Sequence, residues 1–119
     1  MATRSSIERT ISRVERLLDA ETAALRTRAP IDLKESNNGK SQALLEFSLA
    51  IRALQGAPLD DELVKRLKVL RAKLETNQRV LRMHLEAVRE VANVVAGTIQ
   101  DSEWDGTYSQ HAEIGGYGR

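Results

Sequence analysis

His84 and His111 are the side chains best suited to hold a metal ion or move a proton near neutral pH. Neither has a carboxylate or second histidine at a recognisable ligand or catalytic spacing. The chain has no cysteine, which removes thiolate zinc sites, a thiol nucleophile and a disulfide framework together. It also lacks a phosphate-cradling glycine loop, a nucleophile elbow and a coherent carboxylate pair. These residues predict a protein that is not an enzyme and takes no metal or cofactor. His84 and Asn77, one heptad apart, instead read as polar positions in a helical core, where such residues set register or oligomeric state at some cost in stability, with a solvent-facing position as the alternative.

Charge directs the chain toward no particular partner. Lys65, Arg66, Lys68, Arg71, Lys73, Arg79 and Arg82 form a basic stretch, with Lys68, Arg71, Arg79 and Arg82 on one helical face. Nucleic-acid binding would call for interleaved aromatics and a recognisable binding module, and acids from Asp60 to Glu90 dilute the stretch. A solvated face is the expected role, with an acidic protein surface as the next reading. The net charge of +1 sums many charges of both signs. Met1-Ala2-Thr3-Arg4-Ser5-Ser6 lacks the apolar stretch of a signal peptide, and no apolar run approaches the roughly 20 residues that span a bilayer. The expectation is a cytoplasmic protein without membrane insertion.

The elements that must position these residues are helices. Ile7, Ile11, Val14, Leu18 and Leu25 recur at steps of four, three, four and seven, an apolar stripe of helical period. Ser5 and Glu8 have the spacing of a capping box, so a first helix is predicted from near Ser5 to near Arg28, ahead of Pro30. Leu44, Leu45, Phe47, Ile51 and Leu54 predict a second helix over Lys40 to Leu54. Asp32 is available as its N-cap acceptor if it starts early, and Asn37-Asn38-Gly39, poor in helix propensity, leaves Asp32 to Gly39 open between loop and helix. After the Gly56-Ala57-Pro58 breaker, Asp60, Asp61 and Glu62 suit a helix N-terminus. Leu63, Leu67, Leu70, Leu74, Asn77, Leu81 and His84 then keep heptad spacing, and Leu85, Val88, Ala92, Val95 and Ile99 carry the stripe on, predicting a third helix to near Thr98.

The predicted fold is all-α: an elongated antiparallel three-helix bundle or long helical hairpin over residues 1–100, followed by a flexible C-terminal tail over 101–119. The tail holds Trp104, Tyr108 and Tyr117, leaving Phe47 as the sole aromatic elsewhere, together with four of the seven glycines. The third helix is the longest, so part of its stripe lacks an obvious intrachain partner, and uncovered apolar surface marks a binding site or an oligomer contact. Leu85, Val88, Val95 and Ile99 on the stripe, with Trp104 and Tyr108 as aromatic anchors, are the candidate partner-binding residues.

Leu17-Leu18 with Glu21 and Ala24-Leu25 resembles the opening helix of the FlgN family of flagellar export chaperones. Lys40-Ser41-Gln42-Ala43-Leu44-Leu45-Glu46 is similar to that family's next block, Asn77 and Leu81 resemble the asparagine and leucine of its last long helix, and Thr107-Tyr108 is similar to its tail motif. The resemblance covers nearly the whole chain and lies in the order of these blocks. It implies a chaperone that holds flagellar hook-associated proteins in the cytoplasm and delivers them to the export apparatus. A self-associating coiled-coil scaffold, a homo-oligomer without an export client, is the alternative. A helical chorismate mutase is excluded, because the Ile-Asp repeat of that family is absent where Ile11 precedes Ser12.

Overall fold

The computed structural model describes the backbone of residues 3–54 and 56–114, and the side chains of 4–54 and 56–104. Three α-helices follow one another: α1 over Thr3–Thr27, α2 over Leu33–Arg52 and α3 over Asp61–Ile114. No strand occurs among the described residues. The chain divides into two compact units, Met1–Arg82 and Met83–Arg119.

The first unit is a three-helix bundle. Ile7, Ile11, Val14 and Leu18 of α1, Ala43 of α2, and Leu63 and Leu70 of α3 form its core. Leu17, Leu44, Phe47, Ile51, Leu67 and Leu74 pack around them. Arg13 of α1 pairs with Glu46, and Glu21 with Lys40, so position numbers rise on one helix as they fall on the other and α1 and α2 are antiparallel. Between α1 and α3 the hydrogen-bonded pairs keep separations of 51 to 56 positions, from Glu15 with Arg66 to Glu21 with Asn77, which makes these two helices parallel. The order is therefore up, down, up, the arrangement that short connections dictate.

The helix ends show which local signals operate. α1 begins at least two residues before Ser5, and the expected capping box is not formed. Glu8, which would have to reach back to the Ser5 backbone, is taken by Arg4 Nε at 3.2 Å. At the other end Arg28 adopts a left-handed conformation with φ 58°, and the Ala29 N–H donates to the Ala24 carbonyl at 2.9 Å. This is the Schellman closure, here without the usual glycine, and Pro30 follows it. Asp32 is the N-cap of α2, accepting from the Glu35 N–H at 3.1 Å, so the helix includes the segment from Leu33 to Gly39 that propensity had left open. Asp60 caps α3 in the same way, accepting from the Leu63 N–H at 2.8 Å.

At its C-terminal end α3 runs on past the predicted stop near Thr98. Gly97 does not end the helix, and the residues expected as a tail from 101 are helical as far as Ile114. One glycine in a helix interior costs about 1 kcal/mol, too little to stop a long helix whose propagation is favourable on both sides. In the second unit the described residues belong to this helix alone. No described helix is long and apolar enough to cross a membrane.

Candidate functional site

Two features stand apart from ordinary bundle packing: a buried polar cluster in the first unit and an uncovered apolar surface in the second. The cluster is built from one residue of each helix. Glu21 of α1 is 1% exposed, Lys40 of α2 8% and Asn77 of α3 4%. Lys40 Nζ donates to Glu21 Oε1 at 2.7 Å and to Asn77 Oδ1 at 3.1 Å. Asn77 Nδ2 donates to the same Glu21 oxygen at 2.9 Å and to Thr22 Oγ1 at 3.1 Å. Ser36 Oγ donates to the second carboxylate oxygen, so both oxygens of Glu21 are occupied.

This degree of satisfaction decides the ionisation of the site. Burial alone pushes the Glu21 carboxyl pKa upward, but hydrogen bonds from Lys40, Ser36 and Asn77, with the Lys40 charge, outweigh it and hold the pKa below its ordinary value. The Glu21 carboxyl is thus favoured in its ionised form, hydrogen-bonded to Lys40 inside the bundle. The cluster ties one residue of each helix to the other two, an arrangement that favours a single register of the three helices.

The sequence carried a trace of this cluster that apolar periodicity alone overlooks. The seven-residue gap between Leu18 and Leu25 falls on the stripe of α1, and Glu21 fills it at the missing position. Ser36 and Lys40 likewise occupy core-facing positions of α2 between Leu33 and Ala43. Asn77, read as a core polar residue, is buried as that reading required.

The basic stretch of α3 divides in two. Lys68, Arg71, Arg79 and Arg82 are exposed, as expected of a solvated face. Arg66 instead donates to Glu15 at 3.2 Å and to Ser12 at 3.3 Å, and Lys73 to Asp19 at 2.8 Å, so these two stitch α3 to α1. The Asp19 hydrogen bond raises the Lys73 pKa, outweighing the opposing effect of burial. Among the described residues no group of three or more histidines or acids is placed to hold a metal ion. An open cavity of about 520 Å³ lies along Arg9, Arg13 and Arg16 of α1, and one of about 380 Å³ between α1 and α2 is lined by Arg9, Glu46 and Leu49. The first is also lined by the Ser5 and Ser12 hydroxyls and the Glu8 carboxylate, and the second by Ser6 and Thr10.

Comparison with known proteins adds nothing to this geometry. No protein family, curated protein or solved structure matches the chain.

The candidate partner-binding residues lie in the second unit. Leu85, Val88, Val95 and Ile99 are each about half exposed, and Trp104 is 68% exposed. Leu85, on the part of the stripe expected to lack an intrachain partner, is open in the single chain, unlike Leu70, which is 2% exposed. Met83, Val91 and Val94 are exposed as well, a set that a search along one heptad stripe does not collect. His84 is half-buried. Tyr108 lies on α3, and its side chain is outside the described residues.

Proposed function

We propose that the chain is a type III flagellar secretion chaperone of the FlgN kind, which binds hook-associated proteins in the cytoplasm and passes them to the export apparatus. The observation that carries this reading is the meeting of Glu21, Lys40 and Asn77 in one hydrogen-bonded cluster. These three are among the residues on which the resemblance rests, and they come from three separate blocks of sequence. Their types and spacings therefore follow from one packing requirement rather than from the general leucine-rich character of helical bundles.

The role asks for an apolar surface that a client segment can cover, and the exposed face of α3 from Met83 to Ile99 supplies one. It asks for no catalysis, and release at the export apparatus favours moderate affinity over permanence. Trp104 is the sole tryptophan, so its fluorescence reports on partner binding near the end of this face.

Titration of the purified chain with purified hook-associated proteins is the direct test, comparing full-length protein with a chain ending at Gln100. The expected result is a complex containing one copy of the chaperone, a change in Trp104 fluorescence, and a large loss of affinity on truncation with cooperative melting retained. A stable homodimer indifferent to every flagellar protein would replace this reading with the scaffold alternative.

A further inference from the structure

The surface of the second unit is broader than one stripe. At about 100° per residue, the three charged side chains of residues 83–99, Glu86, Arg89 and Glu90, fall within about 100° of the helix circumference, leaving about 260° free of charge. Met83, Leu85, Val88, Val91, Val94 and Ile99 lie in that arc, and each is at least half exposed.

The first unit provides a standard for reading this width. Over residues 61–82 the charges of α3 leave only about 140° free, and that stretch meets two neighbours, α1 through Arg66 and Lys73 and α2 through Asn77 and Lys40. A single added helix therefore cannot cover the arc of residues 83–99. A second copy offers one such helix and would leave one side of each arc in water. The arc resolves into two seams, Leu85, Val88, Val95 and Ile99 on one side and Met83, Ala87, Val94 and Thr98 on the other. Arg89 borders the first seam, which Glu103 continues one turn beyond Ile99, while Glu90 and Asp101 border the second.

We infer that Met83–Ile99 is a docking surface for a partner that presents two adjacent amphipathic helices, acidic along the edge beside Arg89 and basic along the edge beside Glu90 and Asp101. The inference rests on the client-binding reading of this face and specifies the client's chemistry. Docking covers both seams at once and completes around this stretch the kind of three-helix packing that the first unit already has.

The test uses the full chain and two synthetic probes in isothermal titration calorimetry. One is a 20-residue amphipathic helix, the other a hairpin of two such helices with glutamates and lysines on the stated edges. The hairpin is expected to bind at least about tenfold more tightly than the single helix, and Leu85→Ala and Val94→Ala should each weaken it by about tenfold. Arg89→Glu should weaken it too, with recovery when lysines replace the hairpin's glutamates. Equal affinity for both probes, no binding of the hairpin, or an effect of Leu85→Ala without one of Val94→Ala would overturn the two-helix surface. So would sedimentation showing that the chain alone self-associates and that both substitutions abolish the association. Hook-associated proteins that fail to bind while the hairpin binds would remove the flagellar role and leave this surface standing.

Discussion

Residues 61–82 and 83–104 of α3 share a helical backbone and an apolar stripe, yet the side chains of that stripe have opposite fates. Leu63 and Leu70 are 2% exposed, whereas Leu85, Val88 and Ile99 are about half open to solvent. In the first stretch charge crowds close to the stripe, and Arg66 and Lys73 are spent on acids of α1. In the second, the charges as far as Ile99 keep to one face of about 100°. The difference teaches that a heptad stripe declares an appetite for cover without saying who supplies it. The charges beside the stripe are the better guide, because ion pairs to a neighbour mark the stretch whose neighbour belongs to the same chain.

The hardest blow to the covered region should come through its polar cluster. Lys40→Met leaves the Glu21 carboxylate buried without its cation and should cost about 3–5 kcal/mol in urea denaturation. Arg89→Met in the open region should stay within about 0.5 kcal/mol. Replacing Glu21, Lys40 and Asn77 together by Met, Met and Leu should recover most of that loss or more, since an apolar layer of like volume is often as stable as a buried pair. A triple variant as unstable as Lys40→Met would mean the cluster contributes more than it costs.

Leucine truncation comes next. Leu70→Ala should lose about 2–5 kcal/mol as a core deletion. Leu85→Ala should change the stability of the single chain by no more than about 0.5 kcal/mol. A large effect of Leu85→Ala that grows with protein concentration would show the open region covered by a second copy.

Acid should separate the regions as well. The folded Glu21 carboxyl titrates below its unfolded counterpart, so its contribution is complete above about pH 4.3 and fades as pH falls through the folded value. Thermal melts from neutral pH down to about pH 3 should show a steeper loss for the native chain than for Glu21→Gln. Equal slopes would place the acid sensitivity elsewhere.

The smallest effects lie at the helix ends and interior. Asp60→Ala removes the cap of α3 and should cost about 1 kcal/mol. Gly97→Ala should gain up to about 1 kcal/mol, because a methyl group there meets nothing within 4 Å. A loss at Gly97 would instead mean that the open region is packed closely against a partner in solution.

Much of the fold was legible because it follows from strong local signals. The stripe from Ile7 to Leu25, the acids at Asp60 to Glu62, and the breaks around Pro30 and Gly56 each correspond to an observed element or boundary. Where local and tertiary preferences conflict, tertiary contacts prevail. Asn37-Asn38-Gly39 is helical because Asp32 caps the helix ahead of it, while Ser36 and Lys40 on either side are tied to Glu21. The Ser5 box fails for a local reason, since the helix starts before Ser5 and Arg4 claims Glu8 within it. The polar cluster was legible only in pieces, since Asn77 stands out in a run of leucines while Glu21 hides in what looks like a gap. Of the candidate surface, the stripe from Leu85 to Ile99 could be read from period alone, but Met83, Val91 and Val94 needed the full circumference of the helix.

The parallel alignment of α1 and α3 has a consequence for the order in which the bundle assembles. Glu21 meets Lys40 across 19 positions but meets Asn77 only across 56. Closing the longer loop costs about 1 kcal/mol more chain entropy by the logarithmic rule, which favours pairing of α1 with α2 ahead of the α1–α3 contact. In that order Lys40 has found its carboxylate while Asn77 is still in water. The hairpin therefore carries a half-finished polar site into the final step, and docking in the wrong register would leave that site unsatisfied at the moment water is excluded.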